Sequence, residues 1–110
     1  MDYLRIGIMQ VTGTVDEMTR LAREGMLPIY RKIPGFIAYD LVPSNDGKSA
    51  VSITRWRSRE SAEQGGRSAA DFVRNQASHV VSIVSTFIGP AEVSAGARAE
   101  ARPSAPSYPS

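Results

Sequence analysis

The chain of 110 residues has no cysteine, one histidine and one tryptophan. Without cysteine there is no disulfide framework, no thiolate metal site and no cysteine nucleophile. The single His79 has no clustered carboxylates in its sequence neighbourhood, and no Ser-His-Asp grouping has a recognisable local context, so no metal site is expected. No stretch approaches the roughly 20 apolar residues of a membrane-spanning helix, and no membrane partner is expected. Met1-Asp2-Tyr3-Leu4-Arg5 lacks the basic start and long apolar run of an export signal, so a soluble, cytoplasmic protein is expected. Charge of one sign is also scarce: 13 Lys and Arg face 11 Asp and Glu, a net +2, with acids such as Asp16, Glu24, Glu63 and Asp71 interspersed among the bases. That excludes a broad nucleic-acid footprint and leaves only Arg55, Arg57, Arg59, Arg67 and Arg74 as a local basic series, most simply a solvated rim.

What is present is ordinary globular material, 42% hydrophobic and 22% charged, in a length that suits one domain. Its boundary is set by composition. From Ser94 to Ser110 the chain is dominated by Ala, Ser, Pro and Gly, with Tyr108 the only large apolar side chain after Val93. Such a segment buries too little to offset its ordering entropy, so residues 1–93 are expected to form the domain and residues 94–110 a disordered tail.

Tyr3 to Val11 alternates and reads as a first strand, with Leu4, Ile6, Ile8 and Gln10 on one side and Tyr3, Arg5, Gly7, Met9 and Val11 on the other. Thr14-Val15-Asp16-Glu17 has capping-box form and opens a first helix; Pro28 predicts a kink near Gly25 to Leu27, and Pro34-Gly35 a stop. Phe36 to Val42 and Val51 to Trp56 read as strands two and three around an Asp46-Gly47 hairpin. Counting back from that turn sets Leu41 opposite Ser52, Tyr39 opposite Thr54 and Ile37 opposite Trp56. One face then holds Ile37, Tyr39, Leu41, Ser52, Thr54 and Trp56, and the other Phe36, Ala38, Asp40, Val42, Val51, Ile53 and Arg55. On that second face Asp40 and Arg55 form a diagonal cross-strand pair.

Ser58 to Glu63 reads as a short helical turn interrupted at Gly65-Gly66, which is not a phosphate loop. A longer helix follows with the stripe Phe72, Val73, Ala77, Val80, Val81 and Val84, and Thr86 to Val93 makes a last strand whose Gly89-Pro90 suits an edge or a bulge. The order β-α-β-β-α-β predicts an α+β, ferredoxin-like antiparallel sheet with its helices on one face. The other face stays apolar, so a homodimer through Phe36, Ala38, Val42, Val51 and Ile53 is expected.

Over residues 3 to 93 the chain resembles the antibiotic biosynthesis monooxygenase (ABM-like) domain family of dimeric α+β barrels. The resemblance is carried by Ile33-Pro34-Gly35-Phe36, by the Asp46-Gly47 hairpin, and by Ile53-Thr54-Arg55-Trp56-Arg57-Ser58 running into a helix. It implies a cofactor-independent monooxygenase that oxidises a small aromatic, quinol or polyketide-like substrate with O2, without metal or flavin, in a pocket between sheet and helices. The alternative is a non-catalytic barrel that binds a small hydrophobic metabolite. Trp56 matches the family's recurring strand-end Trp, and Gln10 falls where haem-degrading members use Asn. No second Trp is present, Gln64 or Gly65 occupying its place, and Ala62 stands where some polyketide oxygenases have Tyr. Haem degradation is therefore not expected.

Each candidate side chain also has a plainer reading. His79 is the natural base or a half-exposed helical histidine, and Tyr39 a hydrogen-bond donor or packing. Trp56, Phe72 and Ile37 wall the pocket or simply fill core. Gln10 or Thr54 hydrogen-bonds the substrate oxygen, or Gln10 is an edge polar group.

Overall fold

The computed structural model describes residues 1–97. Strand β1 (Tyr3–Val11) is followed by α1 (Val15–Leu21), a wide π-turn (Ala22–Met26) and α2 (Leu27–Arg31). Then come β2 (Phe36–Pro43), β3 (Ser49–Trp56), α3 (Arg59–Phe72), a second π-turn (Val73–Ala77) and β4 (Val81–Pro90). The antiparallel sheet runs β2-β3-β1-β4, so the two central strands are separated in sequence by a helical crossover, and β4 is an edge, as expected. Arg5, Gly7, Met9 and Val11 are buried under the helices, whereas Ile8 and Gln10 on the opposite side of β1 are exposed.

Local chemistry explains the boundaries. Thr14 Oγ1 accepts from the backbone N–H of Glu17 at 3.1 Å and starts α1, but the Glu17 carboxylate turns to His79 rather than completing the capping box. Pro28 offers no N–H, and the helix widens just before it: the Leu27 N–H reaches back to the Ala22 carbonyl. Gly35, at φ +92°, ends the segment in a conformation few other residues tolerate. Ser58 caps α3 by accepting from the Ser61 N–H at 3.1 Å.

The structure departs from the sequence reading in four places. First, α3 is continuous through Gly65-Gly66. A Cβ on Gly65 would overlap the Trp56 indole, and one on Gly66 would lie 2.8 Å from Arg5 Nε. These glycines let the helix settle onto the sheet and do not break it. Second, β4 begins at Val81: Val80 to Val84 carries β-branched residues at a spacing that fits helix or strand, and pairing with β1 decides for strand. His79 therefore lies in the turn before β4, not on a helix.

Third, the hairpin register holds at Leu41–Ser52 and Tyr39–Thr54 but shifts between Phe36 and Ala38, so Phe36, not Ile37, stands opposite Trp56. The bulge turns the Phe36 ring inward, stacked on Tyr30 at 5.9 Å between centroids and edge-on to Trp56 at 5.4 Å. Phe36 accordingly leaves the expected dimer face, and Ile37 is exposed. Fourth, Arg55 pairs with Asp2, Nη1 to Oδ2 at 3.1 Å, instead of with Asp40. The tail expected from Ser94 falls, for residues 98–110, outside the described residues.

Candidate functional site

Between the helical layer and the sheet lies a partly open cavity of about 50 Å³. Its walls are mostly apolar, with Met9, Met18, Met26, Leu41, Phe72 and Ile83 prominent. Three of these are methionines, unbranched side chains that can shift to admit a larger occupant. Four polar side chains interrupt the wall: Arg5, Tyr30, Tyr39 and Ser52. None of the four makes a side-chain hydrogen bond to a neighbour among the described residues.

Alternation brings these groups together. Arg5, Tyr39 and Ser52 take inward positions on β1, β2 and β3, and the Tyr30 ring enters from α2, edge-on to Tyr39 with centroids 5.0 Å apart. Burial pushes the Tyr30 hydroxyl above its ordinary pKa, with Arg5 opposing the rise. Burial likewise pushes Tyr39 up strongly, Tyr30 adding to the rise and Arg5 again opposing it. Both phenols are consequently neutral O–H donors at physiological pH and not bases.

Of the side chains singled out from sequence, the cavity collects Tyr39 and Phe72. Trp56 is fully buried one layer behind it, edge-on to Tyr30 at 5.6 Å, and its Nε1–H donates to Thr54 Oγ1 at 2.8 Å. Thr54 in turn donates to the Arg5 carbonyl at 3.4 Å, so its hydroxyl is occupied within the core. Gln10 is exposed on the opposite sheet face, and Ile37 sits on the β2 bulge, away from the cavity. His79 has a side chain 62% exposed, with Nε2 3.1 Å from Glu17 Oε2, and does not line the cavity. Among the described residues no group of three His, Cys, Asp or Glu is placed to hold a metal ion.

Sequence reading passed over Arg5, Tyr30 and Ser52. A signal for Arg5 was available: it is the one charged residue on the inward side of β1, between Tyr3 and Gly7, where apolar residues are the rule.

No family model matches the sequence, and no curated protein matches it. Solved structures do. SnoaB from Streptomyces nogalater, a cofactor-independent oxygenase, matches with a TM-score of 0.67 at 14% identity, over 84% of this chain and 95% of its own. A monooxygenase from the gene ActVA-Orf6 of Streptomyces coelicolor, solved with nanaomycin D, matches with a TM-score of 0.67 at 17% identity, over 87% and 92%. The chain has the ABM-like fold. Rv0793 from Mycobacterium tuberculosis shares it as well, with a TM-score of 0.64 at 20% identity over 87% of this chain and 100% of its own. At these identities the ABM-like fold is what is shared, and activity has to be argued from the cavity itself.

Proposed function

We propose that the protein is a cofactor-independent monooxygenase that oxidises a flat aromatic, quinol or polyketide-like substrate with O2. The observation that carries this reading is an apolar cavity between sheet and helices into which four polar side chains converge without partners. The ABM-like fold it shares with SnoaB and the ActVA-Orf6 monooxygenase supports it. The chemistry needs no external reductant when the substrate supplies the electrons. An anthrone-type CH2, once its ring is ionised, gives one electron to O2; radical recombination forms a C–O bond, and loss of water leaves a carbonyl. One oxygen atom enters the product and the other leaves as water. The protein's part is to exclude bulk water, hold the ring plane between Phe72 and the methionines, and donate hydrogen bonds from Tyr39, Tyr30 and Ser52 to the ring oxygen. Trp56, behind Tyr30, is a positioning residue.

A second reading, non-catalytic binding of a small hydrophobic metabolite, is favoured by one observation: the titratable phenols in the cavity are pushed away from the range of a general base. Oxygen uptake by the purified full chain with a panel of dihydroquinones and anthrones separates the two. Uptake that falls at least tenfold in Phe72→Ala and Tyr39→Phe supports the oxygenase. Tight binding without uptake supports the binding reading, and neither binding nor uptake across the panel rejects both.

A further inference from the structure

Arg5 is the least expected group in the cavity. It is 4% exposed, its guanidinium always carries charge, and no Asp or Glu lies within 4.0 Å of it among the described residues. Gly66 makes room for it: a Cβ there would lie 2.8 Å from Arg5 Nε, whereas one on Gly7 would meet Nη1 at an ordinary 3.5 Å. Ser52 Oγ lies beside the same Gly7 position, 2.9 Å from where its Cβ would stand. The planar fork is thus held at the cavity wall, next to a free hydroxyl, with its donors unused by the fold. A buried cation without a counter-ion costs stability in the free protein, and this cost is recovered only when an anion arrives.

We propose that Arg5, with Ser52 beside it, is the anion-recognition site of this cavity and binds the ionised ring oxygen, a phenolate or enolate, of the flat aromatic ligand. The inference rests on the aromatic-ligand reading above and adds the charge state in which that ligand is held. It also supplies what the cavity otherwise lacks. With no side chain poised as a base, ionisation of the substrate is driven by the fixed positive charge, which lowers the pKa of a phenol bound against it, and the released proton goes to solvent. The neutral Tyr30 and Tyr39 hydroxyls can then donate to the same oxygen.

The test uses alizarin, a hydroxyanthraquinone already at the quinone level, whose visible absorption reports its own ionisation and which the proposed oxidation does not consume. Bound to the full-length wild-type chain, it is expected to ionise at least one pH unit lower than free in solution. Arg5→Met should abolish that shift, and Arg5→Lys should keep part of it, since Lys retains the charge but not the fork. Unsubstituted anthraquinone, which cannot ionise, should bind wild type and Arg5→Met within about threefold of each other. Arg5→Met should melt no lower than wild type, because it removes an uncompensated charge.

An unshifted probe, a shift that survives Arg5→Met, or no binding of alizarin to the wild type overturns the proposal. A drop in melting temperature with Arg5→Met also overturns it, because that would mean the guanidinium stabilises the free fold instead of burdening it. Oxygen uptake is not part of the readout. An Arg5-dependent shift without uptake on the substrate panel rejects the oxygenase and keeps the anion site, whereas uptake without the shift rejects the anion site alone.

Discussion

Gly65 shows how one missing methyl group sets the distance between layers. In a solvent-facing helix, replacing glycine with alanine gains about 0.5–1 kcal/mol from backbone entropy. Here the Cβ would occupy the space of the Trp56 ring, which is packed edge-on against Tyr30 and Phe36 and has nowhere to move. Gly65→Ala should therefore destabilise by about 1–3 kcal/mol, the usual cost of forcing extra volume into a packed core. Urea denaturation followed by Trp56 fluorescence measures it. The far-ultraviolet circular dichroism of a Gly65→Ala, Trp56→Phe pair supplies the control. If the clash with the indole is the cause, the smaller ring should make the double variant more stable than the sum of the single losses. Additive losses would point instead to a cost of the glycine elsewhere in the helix.

At the scale of elements, the hairpin between β2 and β3 carries its own acid sensitivity. Asp46 Oδ1 accepts from the Lys48 N–H at 3.0 Å and from Ser44 Oγ–H at 2.7 Å, and these bonds to the ionised form hold its carboxyl below the usual aspartate range, the Lys48 bond contributing most. A folded-state pKa below the unfolded one adds stability that is present above pH ~4 and fades as the pH falls through the folded value. Asp46→Asn should accordingly lower stability at pH 7, where the ionised carboxylate contributes, and bring variant and wild type together at acid pH, flattening the loss of stability below pH ~4, which thermal melts across that range would read. An unchanged acid limb would mean that other carboxylates dominate it.

This turn was legible in the sequence because its chemistry is local, and so were Thr14 as a cap, the disturbance before Pro28 and the Leu41–Ser52 register. What was not legible depended on partners far along the chain. Gly65-Gly66 reads as a break until Trp56 and Arg5 are placed beneath it. Phe36 reads as outward until the bulge at Ile37 turns it onto Tyr30. His79 reads as helical because Val80 to Val84 fits two periods equally well. The candidate site suffered for the same reason: Tyr39 and Phe72 follow from strand and helix spacing and Arg5 shows as a lone inward charge on β1, whereas Tyr30 becomes a site residue only once α2 packs against β2.

For the whole molecule, the unresolved physical question is the sheet face that the helices leave bare. Ile6, Ile8, Val42, Val51, Ile53 and Phe87 share it, with Phe87 67% exposed and Val42 and Ile8 about half so. Contiguous apolar surface of this kind is unusual on a monomer, and a second copy of the same face would cover it with the roughly 800 Å² per partner of a standard interface. We propose that the protein is a homodimer through this face, with Phe36 no longer part of it. Phe87 is a clean lever because, in the single chain, it contributes little to the core: Phe87→Glu should cost the protomer fold almost nothing yet place a charge within an apolar contact. Sedimentation equilibrium at micromolar concentration should find a dimer for the wild type and a folded monomer for the variant, with a lower melting temperature that no longer rises with protein concentration, as mass action requires when association is lost. A wild-type monomer, or a variant that remains dimeric, would mean that the face is covered in some other way and that the dimer proposal is wrong.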